Sequence, residues 1–140
     1  MSETRTVLLL ERDLFFIVKV RDTLSHAGYE TQVARSAEDF ARKLAAGSPA
    51  LVIVHTGLVG VDWEQVIARA KAAQVPTLAF GSHVDLEAQQ AARRAGADRV
   101  ISNSKLAKDL PAIAERVVSQ GGAAAQDEAD AEDEEEEVNP

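Results

Sequence analysis

This chain predicts an α/β fold built on a parallel sheet, and three observations carry that reading. Five short apolar runs alternate with five stretches of helical spacing. Two of the runs, Val7 to Leu10 and Leu51 to Val54, are apolar at every position, as strands covered on both faces require. Helix-start residues and glycine stops fall where the two patterns meet. Strands joined in this way need crossovers, and those are right-handed.

The first strand ends abruptly at Glu11-Arg12-Asp13. Apolar residues at 14, 17, 18, 20, 24 and 27 follow with roughly helical spacing, and Gly28 is a natural stop. In that stretch only one of Phe15 and Phe16 can face the core well, and His26 lies near its end, where the dipole favours a cation. Tyr29 to Ala34 reads as the second strand. Ser36 offers an N-cap, with Glu38 and Asp39 in the first turn, where the helix dipole favours acids. That helix ends near Gly47-Ser48-Pro49, and Leu51 to Val54 forms the third strand with His55 at its carboxyl end. After a loop holding Gly57 and Gly60, Asp62 caps a helix through Trp63, Val66, Ile67, Ala70 and Ala73. Pro76 to Phe80 is the fourth strand, followed by Gly81-Ser82-His83. Asp85 opens a helix that closes at Gly96, and Arg99 to Ile101 is the fifth strand. The last helix spans Lys105 to Val118, with Pro111 near its first turn, where a missing N–H is tolerated.

The 140 residues, 46% of them hydrophobic, suit one domain with a real core and not two. No apolar run approaches the roughly 18 residues of a membrane span, and no secretory signal opens the chain. Cysteine is absent, so disulfides and thiolate chemistry are excluded. The net charge of −8 is unevenly placed: between Asp127 and Glu137 there are nine acids and no Lys or Arg. Without those nine charges the net −8 becomes +1, so nothing basic enough for nucleic acid remains. The composition changes at Gly121-Gly122, and residues 120–140 are expected to be a disordered acidic tail. Such a tail keeps a protein soluble, binds a basic partner or folds back on basic residues of the body.

Four segments occur in order at matching intervals: Gly28-Tyr29-Glu30, Pro49-Ala50-Leu51-Val52-Ile53-Val54, Val75-Pro76-Thr77-Leu78 and Gly96-Ala97-Asp98. Through them the chain resembles the receiver domains of two-component signalling, which are CheY-like and flavodoxin-like, over residues 5 to 119. The resemblance implies a doubly wound five-stranded sheet, (βα)5 with strand order 2-1-3-4-5, and a cytoplasmic protein of a prokaryote. It also implies where chemistry would sit, because open α/β sheets bind ligands at the carboxyl ends of their strands.

Several of those positions depart from the receiver pattern. Glu11 and Arg12 stand where receivers carry two acids for magnesium. His55 stands at the phosphate-accepting aspartate, and an imidazole cannot form an aspartyl phosphate. Gly81 replaces the hydroxyl residue, with Ser82 adjacent; Asn103 replaces the lysine; Val100 replaces the aromatic switch residue. Phosphoryl transfer needs a nucleophile, a metal and a cation, and all three positions are altered.

The candidate site is therefore a degenerate phosphorylation pocket of Glu11, Arg12, Asp13, His55, Gly81, Ser82 and Asn103. Its expected arrangement is an ion pair of Arg12 with Glu11 or Asp13, with His55 hydrogen-bonded beside them. Two histidines and two acids invite a zinc reading, but Arg12 stands among them and no H-x-x-x-H motif occurs, so no metal and no cofactor are assigned. Neither G-x-S-x-G nor G-x-G-x-x-G occurs, so the chain is expected not to be an enzyme. Trp63, Arg93, Arg94 and Val100 form the candidate partner surface. The resulting expectation is a stand-alone, phosphorylation-independent pseudo-receiver that acts as an adaptor between proteins, without nucleic acid or membrane. The alternative is a small-ligand or anion sensor using the vacated pocket.

Overall fold

The structure is a computed structural model and describes residues 4–120. Ten elements alternate: β1 (Arg5–Leu10), α1 (Leu14–Ser25), β2 (Tyr29–Ala34), α2 (Ala37–Ala46), β3 (Leu51–His55), α3 (Trp63–Ala72), β4 (Thr77–Gly81), α4 (Leu86–Ala95), β5 (Arg99–Ser102) and α5 (Asn103–Gln120). The strands pair in parallel in the order β2-β1-β3-β4-β5. This is the expected doubly wound sheet. The unbroken apolar runs of β1 and β3 are central and buried, since helices cover both faces.

Side chains alternate across the sheet and define two cores. Val7, Leu9, Ile53, Leu78, Phe80 and Ile101 face α1 and α5, which contribute Ile17, Val20, Leu24, Leu110 and Ile113. Leu8, Leu10, Val52, Val54, Ala79 and Val100 face α2 to α4, which contribute Phe40, Val66, Ile67 and Ala92.

Each helix opens on a side-chain oxygen that accepts an otherwise unpaired N–H. Asp13 Oδ1 accepts from Phe15 N at 2.8 Å, Ser36 Oγ from Asp39 N at 3.0 Å and Asp62 Oδ1 from Gln65 N at 3.2 Å. Asp85 Oδ1 accepts from Ala88 N at 3.1 Å, and Ser102 Oγ from Lys105 N at 3.0 Å. At the far ends, Gly96 closes α4 with a φ of 118°, as a glycine can. Gln74 takes the same left-handed position after α3, with a φ of 62°, while Val75 N donates to Ala70 O. No glycine marks that stop.

The expected boundaries shift by a residue or two at most ends, and α5 differs in kind. It begins at Asn103, directly after β5, which leaves Pro111 well past the first turn. The backbone departs from helical geometry at Asp109 (φ −130°, ψ 19°), so Pro111 lies in the first turn of the helical stretch that restarts there. The tail expected at 120–140 lies outside the described residues, apart from Gln120, the last residue of α5. Among the described residues no helix is long and apolar enough to cross a membrane.

Candidate functional site

β1 delivers Glu11 to the carboxyl edge of the sheet, where its N–H still pairs with Ala34 O at 3.1 Å. The side chain is wholly buried. One carboxylate oxygen, Oε1, accepts from the backbone N–H groups of Arg12 (2.8 Å) and Asp13 (3.1 Å). The other, Oε2, lies 2.8 Å from Nδ1 of His55 at the end of β3. Neither of these two atoms has a well-aimed hydrogen bond, so the contact is one of proximity.

An aromatic cage surrounds the imidazole. The His55 ring stacks on Phe80 at 4.5 Å with an interplanar angle of 5°, and Phe16 meets it edge-on at 5.2 Å. Phe16 also packs 5.2 Å from Phe80, and Phe15 packs 5.3 Å from Phe16. Gly57 passes close on the remaining side, where a Cβ would lie 2.9 Å from His55 Nε2. Nδ1 is therefore buried against Glu11, and the side chain as a whole is 14% exposed.

Arg12 is not part of that pair, contrary to expectation. Its Nε donates to Arg35 O at 2.9 Å and its Nη1 to Val59 O at 3.3 Å. The guanidinium ties the β2–α2 and β3–α3 loops together over the edge. Pleat alternation explains the correction: Glu11 shares the parity of Leu9, while Arg12 is one residue further and points elsewhere. Asp13 is spent on capping α1. Thus the close partner of the Glu11 carboxylate is His55, not Arg12.

Gly81 reveals an exchange that position-by-position reading missed. A Cβ at Gly81 would lie 2.2 Å from Thr56 Oγ1. The threonine hydroxyl occupies the space a side chain at 81 would need, and it donates to Phe80 O at 3.3 Å. Ser82 does not compensate. It is exposed, and its Oγ accepts from Val84 N at 3.3 Å within a turn. Asn103 begins α5 half-buried, with Oδ1 lacking a hydrogen-bond partner. The cage residues Phe16 and Phe80 were also missed. A usable signal existed, because three of the chain's four phenylalanines fall near the ends of β1 and β4.

On the opposite face of the sheet, α3 and α4 part to leave a cleft of about 570 Å³. Thr56, Trp63, Glu64, Asp85, Glu87 and Arg94 line it. Trp63 and Arg94, two of the expected partner-surface residues, therefore converge. Arg93 is half-buried and already engaged. Val100 is corrected: it is 3% exposed, packs in the core against the α2–α4 layer and presents no surface.

The residues present do not fit the magnesium ion that the receiver pattern implies. Glu11 is the one acid of the expected pair, its oxygens are turned to two amides and His55, and Arg12 in the second position supplies no oxygen ligand. Among the described residues no group of three or more His, Asp or Glu is placed to hold a metal.

With this geometry the fold can be assigned: it is that of CheY-like response-regulator receiver domains. A receiver domain of an HD domain-containing protein from Pseudomonas fluorescens Pf-5 superposes with a TM-score of 0.76 at 19% identity, covering 89% of this chain and 94% of that one. A CheY-like receiver from Methanospirillum hungatei JF-1 gives 0.76 at 17%, covering 85% and 97%. The receiver domain of NtrX from Brucella abortus gives 0.73 at 24%, covering 81% and 98%. No family model matches the chain, and no curated protein matches it.

Proposed function

We propose that this chain is a pseudo-receiver: a receiver-fold module that engages a protein partner in bacterial signalling or regulation without being phosphorylated. The observation behind this reading is the contact between Glu11 and His55 inside the aromatic cage. It fills the place where a receiver would hold its metal and its nucleophile. Such a module is not an enzyme and acts by contact, in the cytoplasm. Its exposed apolar residues are placed for contact. Leu14, Phe15, Val59, Val84 and Leu86 all lie just beyond the carboxyl ends of strands, and each is at least 64% exposed. The acids between Asp127 and Glu137 give a basic partner a further electrostatic handle.

The test is incubation with acetyl phosphate and magnesium, followed by intact-mass measurement. The expected result is no phosphoryl adduct on the wild-type chain, and none on His55→Asp, which restores a nucleophile without the metal site. A phosphoryl adduct on the wild-type chain would end the reading.

A further inference from the structure

We infer that the α3–α4 cleft is the partner's seat, and that it takes a basic segment of another protein flanked by aliphatic residues. This rests on the adaptor reading above and adds the chemistry of the partner. Three carboxylates line the cleft, from Glu64, Asp85 and Glu87, against the single guanidinium of Arg94. Asp85 gives one oxygen to the α4 cap. Glu64, Glu87 and Arg94 are exposed and form no ion pair among the described residues, so the excess negative charge is left for a ligand.

The rest of the lining fits the same occupant. Trp63 is half-buried in the wall, beside the core of that face, so a lysine or arginine entering the cleft gains both Coulomb and cation–π attraction. Val84 and Leu86, 74% and 64% exposed, flank Asp85 in the chain and are free apolar contacts for aliphatic residues next to the basic ones. A second copy of this chain is a poor occupant, because each copy carries a net −8. The acids between Asp127 and Glu137 share the sign of the cleft and draw the same class of partner. At its inner end the cleft reaches Thr56, the residue after His55, on the opposite face of the sheet from the imidazole.

Trp63 is the only tryptophan in the chain, which makes its emission a local reporter. The full chain would be titrated with a short peptide alternating lysine and leucine, and with its glutamate-for-lysine counterpart. The expected result is a saturable change in Trp63 emission with the basic peptide alone, weakened by salt. The double variant Glu64→Gln, Glu87→Gln should bind about tenfold more weakly, the sum of two exposed ion pairs. Arg94→Ala should bind more tightly. Should the double variant fold poorly, Arg94→Ala and the single variants carry the same test.

Three results would overturn the inference. They are a silent Trp63, an affinity unchanged by the glutamine substitutions (which would place binding elsewhere on the acidic chain), or an emission change that follows protein concentration without peptide. Any of these in a chain that acetyl phosphate leaves unlabelled removes the cleft and keeps the adaptor; labelling removes the adaptor itself.

Discussion

The two sides of the sheet's carboxyl edge are built from adjacent residues and finish with opposite characters. On the α1–α5 side, His55 is packed between Phe80, Phe16 and Gly57 and set against a buried carboxylate. On the α3–α4 side, Thr56 forms the floor of a charged cleft open to solvent. One residue step along β3 separates them, because neighbouring side chains on a strand point to opposite faces. The difference teaches that one sheet edge can be packed tight on one face and left open on the other.

The largest expected effect comes from breaking the closed side. His55→Ala removes a stacked ring and leaves the Glu11 carboxylate buried without its partner, and chemical denaturation should show a loss of about 3 kcal/mol. Pairing it with Glu11→Gln should recover part of that loss if the contact is electrostatic.

Next is the open side. Gly81→Ala forces a methyl group into Thr56 Oγ1 and should cost about 2 kcal/mol by the same measurement. Thr56→Ala should restore most of it, since Thr56 Cβ would still stand 3.5 Å from the new methyl. An additive double variant would show that the two positions do not share one space.

A smaller effect tests the strap across the edge. Arg12→Ala loses two hydrogen bonds to carbonyls and should cost about 1 kcal/mol, with faster amide exchange in the loops holding Arg35 and Val59. A loss as large as that of His55→Ala would mean that Arg12 supports the Glu11 charge after all.

Two substitutions at the amino edge of the sheet calibrate these numbers without touching either side. Gln74→Gly relieves a left-handed backbone at a non-glycine residue and should raise stability by about 0.5 kcal/mol, read as a higher denaturation midpoint. Burial holds the Asp98 carboxyl above its usual range, against the opposing pull of the Thr77 N–H and Lys71. A carboxyl raised in this way adds stability that is complete below its unfolded pKa and is lost as pH rises through the folded one. Asp98→Asn should therefore be the more stable protein at neutral pH, with the gap closing on acidification.

Most of the fold was legible. Unbroken apolar runs announced β1 and β3, Ser36, Asp62 and Asp85 announced their helices, and Gly96 announced a stop. The end of α3 was not, because Gln74 does the work of a glycine. The kink in α5 was not, because Pro111 marks a helix start only once Asp109 has left helical geometry. At the site the positions were legible and the contacts were not. Alternation along β1 and β3 places Glu11 and His55 on one face, and applying it would have excluded Arg12 as the acid's partner. Which space a side chain fills is another matter. No spacing rule shows that the hydroxyl of Thr56 stands in the room beside Gly81.

That shared room sets the order in which this sequence can change. A side chain at position 81 meets the Thr56 hydroxyl, so a serine or threonine enters there at a cost while Thr56 keeps its place. A variant library that samples one position at a time will therefore score position 81 as intolerant, although a smaller residue at 56 makes room for it.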